Sequence, residues 1–192
     1  MIDINPTDSE LADAARDGDR DALDALLRRH FDLVHAVCRR ITSHHEDALD
    51  ATQEALVAVV RGIGRYDGRA AFTTWLYRVA TNAALDEVRQ RSRRLPTVDE
   101  IDEVGDPAPG SSPESAAVAR VDVERALSMI APPLRAAVVL RDCCDLEYSA
   151  IAEVLDVPIG TVRSRIARGR SALSKILGNP MGAPERLTGE DR

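Results

Sequence analysis

Aromatic side chains are scarce in this protein. They make up 3% of its 192 residues, too few to spread a base-stacking platform over a surface. Lysine is rarer still: Lys175 is the only one, so arginine carries the positive charge. Arginine makes the bidentate phosphate and guanine contacts that lysine does not. The three cysteines, Cys38, Cys143 and Cys144, form no disulfide framework. Cys38 shares an apolar face with Leu33, Val34 and Val37 and reads as a small buried hydrophobe. The vicinal pair reads as packing at a helix end, with a redox role left open. His35, Cys38, His44 and His45 match no strong zinc spacing, and neither a metal nor another cofactor is expected. No run is apolar for long enough to span a membrane, and the N-terminus lacks the basic-then-apolar layout of a signal peptide. A cytoplasmic protein without direct membrane insertion is expected. Nucleophile–base pairs and phosphate-binding glycine loops are missing too, which argues against an enzyme.

What is present is helix-forming sequence and segregated charge. The formal net charge of -7 argues against a general nucleic-acid binder, but the distribution is uneven. Between Ile159 and Leu177 there are four arginines, one lysine and no acid. Just before that stretch, Ile151, Val154 and Leu155 mark a short apolar-periodic helix, and Asp156, Val157 and Pro158 a turn. A second helix then opens near Gly160-Thr161, with proline and threonine as start signals. Val162, Ile166, Gly169, Leu173, Ile176 and Leu177 share its inner face at a 3.6-residue period. Ser164, Arg168, Ser171 and Lys175 lie opposite, Thr161 and Arg163 at the exposed start, and Arg165 and Arg170 at the borders. A helix–turn–helix whose second helix is cationic can enter a major groove and read bases there. An ordinary helical hairpin with a solvated basic face is the plainer alternative, and the missing acids favour DNA.

The rest of the chain reads as helices too. Stretches from Ser9 to Arg16, Asp21 to Ile41, Asp47 to Ile63 and Phe72 to Arg94 carry apolar residues at helical spacing. Gly18-Asp19, the polar run TSHHED and the loop GIGRYDGRAA separate them. On the third stretch Ala48, Ala51, Ala55, Leu56, Val59 and Val60 are expected to face the core. From Leu95 to Ala119 there are six acids, four prolines, two glycines and no basic residue, the composition of a linker. Further helices are expected from Val121 to Ile130 and Pro133 to Cys143, and a disordered tail after Gly178. The fold class is therefore all-α. Two small helical domains, residues 1–94 and 119–178, are joined by a flexible acidic linker over 95–118, with a tail over 179–192.

Several motifs carry a family resemblance. Asp47, Asp50, Gln53 and Glu54 fit D-x-x-D-x-x-Q-E, and YDGRAAFTTWLYRVATN from Tyr66 to Asn82 fits FDG-x-x-x-F-x-x-WL-x-x-x-A-x-N. IAPPLRAAVVLRD, and Ile151 to Arg165, fit two further patterns ending in G-T-V-R-S-R. In this order and spacing, Asp8 to Leu177 resembles the extracytoplasmic-function RNA polymerase sigma factors. Leu49 in place of an acid, Ala51-Thr52 in place of bulkier residues and the lack of a tryptophan near Val60 depart from the pattern.

The resemblance implies core RNA polymerase and promoter DNA as partners. Asp47, Asp50, Gln53 and Glu54 would dock on the polymerase, although by residue type alone they make an ordinary solvated face. The −10 element would be opened by the glycine-containing loop with Tyr66, Asp67 and Arg69, by Asn82 with its paired donor and acceptor, and by Arg89 and Arg93 on phosphates. Trp75 and Phe72 read as core. The −35 duplex would be read by Thr161, Arg163, Ser164, Arg165 and Arg168, with Lys175 on phosphate. The acidic linker is either a solubilising tether or a strip that mimics a phosphate backbone in a basic channel. An anti-sigma factor is expected to insert between the domains, against Val138, Val139 and Leu140 and the Asp50–Glu54 face. A two-domain response regulator shares the helix–turn–helix, but its receiver domain needs β-runs that the first 94 residues lack.

Overall fold

The computed structural model describes residues 6–94 and 123–178; the expected linker and tail lie outside the described residues. The first unit holds α1 (Asp8–Arg16), α2 (Arg20–Thr42), α3 (His45–Gly62), a single 3-10 turn (Ile63–Arg65) and α4 (Phe72–Arg94). In the second are α5 (residues 123–128), α6 (Pro132–Val138), α7 (Tyr148–Leu155) and α8 (Ile159–Ile176). No strand occurs among the described residues.

Local chemistry starts and stops these helices. Thr7 and Glu10 close a capping box on α1, and the Asp19 carboxylate accepts from the Asp21 and Ala22 amides at the start of α2, each meeting amides that a helix cannot bond itself. Gly18 between them has a φ of 102°, which glycine adopts without steric cost. Leu26, Val34, Val37, Cys38 and Ile41 bury one stripe of α2 against α3 and α4. The inner face of α3 is built from Ala48, Ala51, Ala55 and Val59, small residues that let its backbone come close. Val60, expected in that core, is 48% exposed: it stands one position past Val59 and so turns outward.

The rings cluster beneath α4. Phe72 lies 5.7 Å edge-on from Tyr66 and 5.6 Å from Trp75, with His30 5.4 Å away on its other side. Phe72 and Tyr66 are buried and Trp75 half-buried, so packing accounts for these rings. In the second unit Pro132 and Pro133 open α6, which passes into a π-helical segment at Val139–Cys143 where an ordinary helix was expected. Ala137, Leu140, Ile151, Val154, Val162 and Ile166 make the small core of the helix–turn–helix. Asp156, at a φ of 50°, turns the chain between α7 and α8. α8 opens one residue early, with Pro158 at its N-cap and no side-chain cap, so Thr161 does not cap it. Its inner stripe also ends sooner than the period implies: Val162, Ile166 and Gly169 are buried, whereas Ile176 and Leu177 are exposed among the described residues.

The two units touch. α4 packs on α7, and α2 meets α6 and the π segment. Val138, Val139 and Leu140, expected as an anti-sigma contact, are buried, the two valines in this packing and Leu140 in the helix–turn–helix core.

Candidate nucleic-acid interface

α8 is held from behind and open in front. Gly169 lets it sit against α6: a Cβ there would lie 2.5 Å from Val138 Cγ2 and 3.2 Å from the Leu134 carbonyl oxygen. The opposite face presents Arg163, Ser164, Arg168 and Lys175 to solvent, with Thr161 and Arg165 half-buried. Of the five cations on α8, Arg170 alone pairs with a carboxylate among the described residues, that of Asp142. Thr161, Ser164, Arg165 and Arg168 line a shallow cleft of about 460 Å³ beside Pro133 and Leu134. Free guanidinium groups beside hydroxyls suit phosphate and base-edge contacts.

The expected −10 residues are less uniform. Tyr66 is turned inward, its hydroxyl donating to the Ala70 carbonyl at 2.7 Å. Asp67 accepts from the Arg69 amide at 3.1 Å and pairs with its guanidinium at 3.3 Å, which closes the loop on itself. Arg89 holds Asp86 at 2.6 Å, while Arg93 makes no ion pair among the described residues. Asn82 is exposed at mid-helix.

Asp50, Gln53 and Glu54 are exposed on α3 and share one groove of about 520 Å³ with Asn82 and Asp86 of α4. The spacing within each helix predicts those faces, but not that the two faces meet. Asp47 stands apart. It is 8% exposed and its carboxylate lies 3.4 Å from Arg91, so it ties α3 to α4.

Cys38 is buried, Cys144 half-buried and Cys143 exposed. Burial pushes the Cys38 and Cys144 thiols up to about 11, and partial desolvation raises that of Cys143. Protonated thiols are poor nucleophiles, which weighs against a redox role.

Residues 26–94 match the family described as Sigma-70 region 2, and residues 120–173 match Sigma-70, region 4. The ECF RNA polymerase sigma factor SigM of Mycobacterium tuberculosis is 38% identical over 90% of this chain and 85% of its own length. The chain belongs to the ECF RNA polymerase sigma factors. The RNA polymerase sigma-H factor of Pseudomonas aeruginosa is 34% identical over 88% of this sigma factor and 93% of its own chain. The ECF RNA polymerase sigma-E factor of Escherichia coli is also 34% identical, over 87% and 92%. Among solved structures, CnrH in complex with the cytosolic domain of CnrY shares the fold. Its TM-score is 0.67 at 24% identity, covering 89% of this chain and 97% of that one. So does the sigma factor RpoE in complex with the anti-sigma factor NepR from Bartonella quintana, at TM-score 0.66 and 23% identity over 81% and 96%. This protein is therefore an alternative sigma factor acting in transcription initiation, not an enzyme. No helix among the described residues is long and apolar enough to cross a membrane.

Proposed function

We propose that this sigma factor works in the cytoplasm, joins core RNA polymerase and directs it to promoters through two separate DNA-reading surfaces. The observation that carries the reading is the face of α8, where Arg163, Ser164 and Arg168 are exposed with no acid on the helix. Thr161, Arg163, Ser164, Arg165 and Arg168 read the −35 duplex, and Lys175 holds phosphate. In the unit ending at Arg94, Asn82 takes a base of the −10 element while Arg89 and Arg93 hold phosphates. The loop with Tyr66, Asp67 and Arg69 shapes that site from beneath. Exposed Asp50, Gln53 and Glu54 dock on the polymerase, and Asp47 supports them through Arg91.

An anti-sigma factor restrains the protein. Supporting this, the RpoE neighbour was solved with the anti-sigma factor NepR and CnrH with the cytosolic domain of CnrY. Run-off transcription with purified core polymerase tests the function. The chain is expected to convert core enzyme into a promoter-specific holoenzyme, and Asp50→Arg with Gln53→Ala to weaken co-purification with core. A chain that leaves core polymerase non-specific would refute the reading.

A further inference from the structure

Arg135 stands where the two units meet, 5% exposed. One terminal nitrogen donates to the Ile41 carbonyl at 2.6 Å and to Ser43 Oγ at 2.7 Å. The other donates to the carbonyls of Ser128 at 2.8 Å and Ile130 at 3.1 Å. Nε finds no partner, and no carboxylate pairs with the group among the described residues. Ile41 lies in the last turn of α2 and Ser43 is its C-cap. The final carbonyls of a helix lack partners within it and carry the negative end of its dipole. A cation from the second unit thus completes a helix of the first. Around it, the apolar cluster of α2 and α4 continues into Leu127, Ile130, Ala136, Val138 and Val139, and Arg39 pairs with Glu124 at 2.7 Å on the rim.

The same packing turns the candidate DNA face of α4 toward one border of α8, while Arg163, Ser164 and Arg168 stay open to solvent. Asn82, Arg89 and Arg93 of α4 and Arg165 of α8 line one cleft between the units, about 700 Å³ in volume. That is the size of a small-molecule site, whereas the major groove of B-DNA is itself about 12 Å wide. A duplex does not enter a cleft of that size, so Asn82, Arg89, Arg93 and Arg165 do not grip one together as they stand.

We propose that Arg135 is a latch: by capping α2 across the boundary between the units it holds the free sigma factor closed, and DNA contact through Asn82, Arg89, Arg93 and Arg165 requires it to leave α2. The proposal rests on the DNA-reading roles assigned above. A guanidinium taken out of water and given only neutral oxygens is a costly group to bury, and burial pushes its pKa down to about 10. The contact therefore sets an arrangement without locking it, as a reversible latch needs.

Small-angle X-ray scattering on the full chain without polymerase measures closure, and binding to a random-sequence DNA duplex at low salt measures access. Arg135→Leu is expected to raise the radius of gyration and to tighten duplex binding about tenfold, because apparent affinity scales with the fraction of chains in the competent state. Arg135 also serves Ser128 and Ile130 inside its own unit, so circular dichroism must show that the variant keeps its helices. Ser43→Gly is the companion variant. Ser43 has a φ of 68°, which suits glycine, so the change removes the latch hydroxyl while sparing the helix end. It is expected to move both readings in the same direction by less, and it decides the matter if Arg135→Leu unfolds. A parent chain that is already extended, or unchanged scattering in the folded variants, would overturn the latch. A larger radius with unchanged duplex affinity would uphold the latch and count against the DNA-facing assignment of the cleft.

Discussion

α4 and α8 both carry clustered arginines, and they differ in what those arginines hold. At the end of α4, Arg89 grips Asp86, Arg91 grips Asp47 and Arg94 lies 3.4 Å from Glu87. On α8, Arg163, Arg165, Arg168 and Lys175 grip no carboxylate among the described residues. Arginine count alone therefore does not identify a DNA surface; the state of each cation does. Those α8 cations have no carboxylate among the described residues to release before they meet DNA, whereas Arg89 must first leave Asp86. That exchange costs little, since both partners are well exposed and such pairs contribute under about 1 kcal/mol.

Packing behind the two surfaces differs as well, and glycine substitutions break the comparison most sharply. Gly169→Ala drives a methyl into Val138 and the Leu134 carbonyl, and is expected to destabilise the second unit by about 1–3 kcal/mol. Gly62→Ala meets only the edge of the Trp75 ring at 3.2 Å, and should stay within about 1 kcal/mol of the parent because helix propensity improves. Thermal unfolding followed by circular dichroism separates the two.

The next contrast lies among the acids of α3. Asp47→Ala should cost about 1 kcal/mol by releasing Arg91, whereas Asp50→Ala should leave the melting temperature unchanged and weaken binding to core polymerase. Equal melting shifts for both variants would remove the distinction between a structural and a docking carboxylate.

The smallest effect tests the paired state of Arg89. Asp86→Ala frees that guanidinium and should steepen the salt dependence of holoenzyme–promoter binding by about one unit of slope. Lys175→Ala should lessen the slope by about one. A flat response to Asp86→Ala would show that Arg89 stays off the DNA even when unpaired.

The helices themselves were plain in the sequence. Apolar residues at 3.6-residue spacing, interrupted at Gly18 and at TSHHED, mark α1 to α3 to within about two residues of where they lie, the usual uncertainty at helix ends. The cationic strip of α8 was equally legible, because charge patterning is local. What escaped were features set by distant partners. Asp47 looks like its neighbours until Arg91, 44 residues later, claims it. Arg135 fits a motif within the second unit, yet it bonds backbone and hydroxyl oxygens 94 and 92 residues away, and carbonyls leave no mark in sequence. The exposure of Ile176 and Leu177 had no signal either, since period alone places them on the inner face and does not tell which described residues reach it.

Base reading by α8 is the central claim, and base-pair scanning of the −35 element tests it most directly. Each position is substituted in turn, and binding is measured for holoenzyme carrying the parent chain, Arg168→Ala or Lys175→Ala. Arg168→Ala is predicted to lose about 1–3 kcal/mol on the preferred sequence and to flatten the preference at one position. Lys175→Ala is predicted to weaken all sequences evenly and leave the preference profile intact. Identical profiles for the two variants would contradict the assignment of Arg168 to bases and Lys175 to phosphate.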